Sequence, residues 1–131
     1  ILCLAAAHAV HNGLSVAPGC HGALHGEKVA FGTLTQLVLE QAADQEVEAV
    51  LDFCVSVGLP LTLEAIGLAE VDEPLLRRMA ERAVQADEST HNEPFPVTAE
   101  MVAQAIRTAD ARGRRHLGPR QPGVHGTAHF P

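Results

Sequence analysis

The sequence predicts an all-α fold, a helical bundle. Three observations carry this reading. Apolar residues recur at three- and four-residue steps in several separate segments, capping residues stand in front of those segments, and no stretch alternates as a strand would. The chain has 131 residues, 47% of them hydrophobic but only 3% aromatic, with no Trp, no Tyr and four Phe. That length fits one domain, and that composition predicts an aliphatic core of Leu, Val, Ala and Ile.

Taken in order, residues 1–11 are rich in Ala and Leu, good helix formers, and Asn12-Gly13 supplies a stop signal. A loop runs from Gly13 to about Leu24, with Pro18, Gly19 and Gly22. A second helix follows from Gly26, its spacing marked by Val29, Ala30, Leu34, Leu37, Val38 and Gln41, with Glu27 favourably placed in the first turn. Asp44 is an N-cap for a third helix with a stripe of Val47, Val50, Leu51, Cys54 and Val55, ended by Gly58 and Pro60. Thr62 caps a short piece over 63–66. Asp72 caps a fourth helix with Pro74 in its first turn and Leu75, Leu76, Met79, Ala80, Ala83 and Val84 on one face. Residues 89–97 form a loop, since Pro94 and Pro96 exclude a helix. Thr98 caps the last helix, whose stripe is Met101, Val102, Ala105, Ile106 and Ala109 and which ends near Gly113. Two regions result: a helical domain over 1–113 and a basic Gly/Pro/His tail over 114–131, expected to be disordered or loosely attached.

Charge and cysteines narrow the function classes. The net charge of −7 argues against general nucleic-acid binding, which needs a basic footprint. The charge is unevenly spread: residues 1–111 hold all 16 acids and five bases, a balance of −11, while 112–131 hold four Arg and no acid. Cys3, Cys20 and Cys54 form no C-x-x-C pair and read as reduced thiols rather than a disulfide or zinc-finger set. No apolar run is long enough to span a bilayer. The chain opens on Ile1 in mid-pattern, which suggests a piece of a longer protein.

The histidines carry the chemistry. His8, His11, His21 and His25 fall within eighteen residues, and neutral imidazole is the commonest protein ligand for zinc and other transition metals. His8 and His11 share a helix face, and the loop can fold His25 back against them. A catalytic zinc needs three protein ligands and an open position, and no acid precedes Glu27. A carboxylate must come from elsewhere. A non-catalytic reading, in which these histidines pack within a helical interaction module, is equally open on spacing alone.

The wording around the histidines is more specific. AAAHAVHNGL (5–14) followed by HGEKVAFGTLTQLVLE (25–40), then VGLPLTL (57–63) and THNEPFPVTAEMVAQAI (90–106), resembles the metal-binding region of the glycerol dehydrogenases, within the iron-containing (group III) alcohol dehydrogenase superfamily. The resemblance extends to about residue 113. It implies the superfamily's helical C-terminal domain and a divalent metal, Zn2+ or a related ion, held by one Asp and two His. Those two are His8 and His25 here. It leaves His11 and His21 as non-ligands, with His11 expected to pack or hydrogen-bond around the site.

The resemblance further implies NAD-dependent oxidation of glycerol, or another small polyol, to dihydroxyacetone, in a cytoplasmic homo-oligomer. The ligand Asp and the glycine-rich NAD-binding domain of that family have no counterpart in this sequence, so no cofactor-binding residue is assigned and the chain alone is expected to be inactive. A related metal-dependent alcohol dehydrogenase is the alternative within the same chemistry. A helical domain of this kind is also expected to leave apolar surface exposed, most of all on the Ala-lined stripes of its first two helices.

Overall fold

The computed structural model describes residues 5–85 and 89–118. Among them are five α-helices and no strand: α1 (Ala5–Leu14), α2 (His25–Leu39), α3 (Asp44–Val57), α4 (Glu73–Ala83) and α5 (Ala99–Leu117). Short 3-10 turns cover Pro18–Gly22, Glu64–Ile66 and Ser89–Asn92. The expectations for residues 1–4, and for the tail over 119–131, fall outside the described residues.

The caps behave as their chemistry requires. The Asp72 side chain accepts the Leu75 N–H at 2.9 Å, and the Thr98 hydroxyl accepts the Met101 N–H at 3.2 Å. Thr62 takes the Ala65 N–H at 3.1 Å. Gly58 closes α3 in the left-handed region, at φ 76°. At α3 the expected N-cap shifts by one: Ala43 is the cap and Asp44 is the first helical residue.

Two expected stops are not stops. α1 passes through Asn12-Gly13 to Leu14, and α5 passes Gly113 to Leu117. Both glycines sit where backbones cross. A Cβ on Gly13 would stand 2.3 Å from the Met79 carbonyl oxygen of α4, and one on Gly113 would overlap the Leu61 carbonyl. Each lets a second segment approach, which a side chain would prevent.

α1 packs on α2 and α4, and α5 closes the bundle against α2 and α4, while α3 lies against α2. The central position of α2 explains its departure from a single stripe. Phe31, Gly32, Leu34, Thr35, Gln36, Leu37 and Leu39 are all buried, because α2 has neighbours on several sides. Gln41 lies beyond the helix with φ 54° and is exposed. The core is aliphatic with one aromatic exception, Phe31, which is fully buried. Val47, Leu51 and Cys54 of α3 are buried, but Val55 is exposed, as is Met101 of α5.

The expectation of exposed stripes on the first two helices is corrected. Ala7, Ala9 and Val10 of α1 are fully buried within the chain, against α2 and α4. Exposed large apolar side chains occur instead at Phe53, Val55 and Val57 of α3, at Val16 and Leu24 between α1 and α2, and at Met101 and Leu117.

Candidate metal centre

α1 and α2 pack together and bring three imidazoles to one rim. His8 and His11 are three residues apart on α1, and His25 is the first residue of α2 rather than a loop residue before it. The ring centroids of His8 and His25 are 6.4 Å apart. Those of His11 and His25 are 4.3 Å apart in an edge-on arrangement, at 61° between planes. His21 lies in the 3-10 turn between the helices.

The rings differ in surroundings. His8 and His25 are exposed, while His11 is half-buried, with its Nδ1 3.2 Å from the Asn12 Oδ1. Burial pushes the His11 imidazole below the usual histidine range. The Asn12 hydrogen bond opposes this, and the nearby positive charge of His25, Lys28 and His8 adds to it.

Whether these residues suit a metal follows from simple geometry. With a Zn–N distance of about 2.1 Å and a ring nitrogen about 1.1 Å from its centroid, two imidazoles on one ion have centroids at most about 6.4 Å apart, and about 5.2 Å at a tetrahedral angle. His8 and His25, at 6.4 Å, need to close by about 1 Å to reach that angle, which exposed side chains do by small rotations. His11 and His25, with centroids 4.3 Å apart, would have to separate by about 1 Å to reach the same angle. The donor set at His8 and His25 fits two positions of a transition-metal site.

Among the described residues no group of three His, Cys, Asp or Glu side chains comes together to hold a metal ion. The nearest carboxylate in sequence, Glu27, is committed elsewhere: its Oε1 accepts the Leu24 N–H at 2.8 Å and caps α2. Gly26, between His25 and Glu27, has open space around it, and a Cβ there would meet nothing within 4 Å. A glycine in that position has no packing reason among the described residues, and it leaves the rim beside His25 bare.

Sequence reasoning missed Gln36, a buried polar residue of α2 that binds the backbone of α1 next to His8. Its signal, a polar residue amid an apolar helix, was present but reads equally as surface.

Comparison with known proteins finds relatives over most of the chain. No protein-family model matches the chain. It is 47% identical over 114 residues to glycerol dehydrogenase of Citrobacter freundii, covering 87% of this chain and 31% of that protein. It is 50% identical over 112 residues to glycolaldehyde reductase of Halobacterium salinarum, covering 86% and 31% respectively. The solved structure of glycerol dehydrogenase from Schizosaccharomyces pombe superposes with a TM-score of 0.82 at 35% identity, over 86% of this chain and 29% of that one. The chain thus spans about three-tenths of the length of the curated relatives it matches. Over that stretch it is homologous to the glycerol dehydrogenases and matches their C-terminal helical region.

Proposed function

We propose that this homologue of the glycerol dehydrogenases supplies two metal ligands, His8 and His25, to an NAD-dependent dehydrogenase acting on glycerol or a related small polyol. The observation that carries the reading is the convergence of these two exposed imidazoles from two different helices. Relatives named for glycerol and for glycolaldehyde match at similar identity. The substrate class is therefore a vicinal diol or the corresponding hydroxycarbonyl compound, with dihydroxyacetone as the product from glycerol. The reaction belongs to the whole protein, including groups outside the described residues. A third ligand, a carboxylate by the resemblance, comes from there.

The residues of this chain have definable tasks. His8 and His25 would each offer a ring nitrogen to the ion, as neutral ligands do. Together they would hold a divalent cation, which would supply Lewis acidity toward an alcohol hydroxyl. His11 packs edge-on against the His25 ring. Glu27 remains at its cap on the Leu24 N–H.

The reading is tested by titrating the chain with Zn2+ alone and following the histidine ring resonances by NMR. Those of His8 and His25 are expected to shift together, and His25→Ala to remove the response of His8. An unchanged His8 response in His25→Ala would sink the ligand assignment.

A further inference from the structure

We propose that Gln36 is a positioning residue that sets the separation of His8 from His25, an inference that rests on reading that pair as metal ligands. The Ala7 N–H of α1 has an acceptor on another helix. Gln36 supplies one: its Oε1 accepts the Ala7 N–H at 3.0 Å in a buried contact, and Gln36 itself is 2% exposed. The same side chain donates from Nε2 to the Glu40 Oε1 at 3.0 Å, which fixes which end of the amide faces Ala7.

The carbonyl of the same residue lies against the same helix. A Cβ on Gly32 would stand 2.5 Å from the Ala7 carbonyl oxygen, so the two backbones approach closely there. Gly32 and Gln36 are four residues apart and share one face of α2. α2 therefore binds the amide of Ala7 and packs on its carbonyl, and the next residue is His8. The helix that opens with His25 thus also positions the backbone one residue before His8, from Gly32 and Gln36, about 10 and 16 Å further along its axis.

This arrangement acts on one imidazole and not on the other. His8 directly follows the residue that Gln36 holds, whereas His11 is one turn further along α1 and is bound through Asn12. Loss of the Gln36 contact frees His8 and leaves the packing of His11 on His25 in place.

The test compares Gln36→Leu with the Gln36→Glu/Glu40→Gln double variant, which keeps a carboxyl oxygen for the Ala7 N–H and reverses the roles in the second bond. In the metal-free chain, Gln36→Leu is expected to lose the ring-to-ring NOE between His8 and His25 and to keep that between His11 and His25. Its affinity for Zn2+ is expected to fall about tenfold, in the range seen when groups orienting a ligand are removed. The double variant is expected to recover both. Thr35→Val, buried in the same helix with its hydroxyl on the Phe31 carbonyl, controls for lost stability and should leave both readouts alone. A wild-type His8–His25 NOE in Gln36→Leu, or equal loss of both NOEs, would overturn the proposal. If Zn2+ moves neither ring in the wild type, the ligand reading fails, and the NOE comparison still decides what Gln36 does.

Discussion

Two glycine-to-alanine changes on the same helix are expected to have opposite effects. At Gly32 a Cβ would lie 2.5 Å from the Ala7 carbonyl oxygen, a backbone atom that cannot rotate away. Ordinary contact begins near 3.4 Å, so α1 must retreat from α2 by about 0.9 Å. Overpacking of this kind costs about 1–3 kcal/mol, and the gain in helix propensity on replacing glycine returns up to about 1 kcal/mol. Gly32→Ala is thus expected to destabilise the chain by about 1–2 kcal/mol. With a urea m-value of about 2 kcal/mol/M, the midpoint falls by about 0.5–1 M at unchanged slope. Gly26 has nothing within 4 Å of a Cβ, so Gly26→Ala keeps the propensity gain and raises stability by up to about 1 kcal/mol. Urea denaturation followed by circular dichroism measures both. Equal stability of the two variants, or a more stable Gly32→Ala, would refute the contact reasoning.

Two further outcomes follow from single side chains. His11 has its folded-state pKa lowered, chiefly by burial, below its ordinary value of 6.5. The unfolded chain therefore takes up the proton first, and stability falls as the pH drops below about 6.5. Melting temperatures of the metal-free chain at pH 7.5 and 5.5 should show this decline, and His11→Gln should flatten it. Asp110 of α5 accepts the Leu63 N–H at 2.9 Å and pairs with Arg114 at 3.0 Å. Asp110→Ala leaves that amide without its acceptor and should cost about 1–3 kcal/mol in chemical denaturation, whereas Asp110→Asn, which keeps an acceptor oxygen, should cost markedly less.

The helices were legible because their signals are local. Asp72 and Thr98 cap where they stand, and Gly58 adopts the left-handed conformation that ends α3. Gly13 and Gly113 look the same in sequence but do something else, since their reason lies in Met79 and Leu61, far away along the chain. A glycine near the end of an apolar pattern can stop a helix or admit a neighbour, and only tertiary contact separates the two. The histidine cluster was half legible for a similar reason. Its members are close in sequence, and the helix–loop–helix around them brings His8, His11 and His25 together. What orders them, the Ala7 amide on Gln36, joins residues 29 apart and leaves no periodic trace.

The charge break at residue 112 yields a different lesson. In sequence it separates an acidic domain from a basic tail, but the first part of that basic segment is the end of α5, paired with the chain's own acids. Arg112 reaches Asp44 at 3.2 Å and Glu48 at 3.5 Å, and His116 reaches Glu48 at 3.1 Å and Asp52 at 3.0 Å. Residues 44, 48 and 52 rise one turn at a time along α3, as 112 and 116 do along α5, so each basic side chain spans two successive carboxylates. Exposed pairs of this type contribute at most about 1 kcal/mol each, too little to drive folding. They join the last turns of α5, which continues four residues past Gly113, to α3. The seat of α5 on the bundle is set by buried Val102 and Ile106, by the close approach of Leu61 at Gly113 and by the Leu63 N–H that Asp110 accepts.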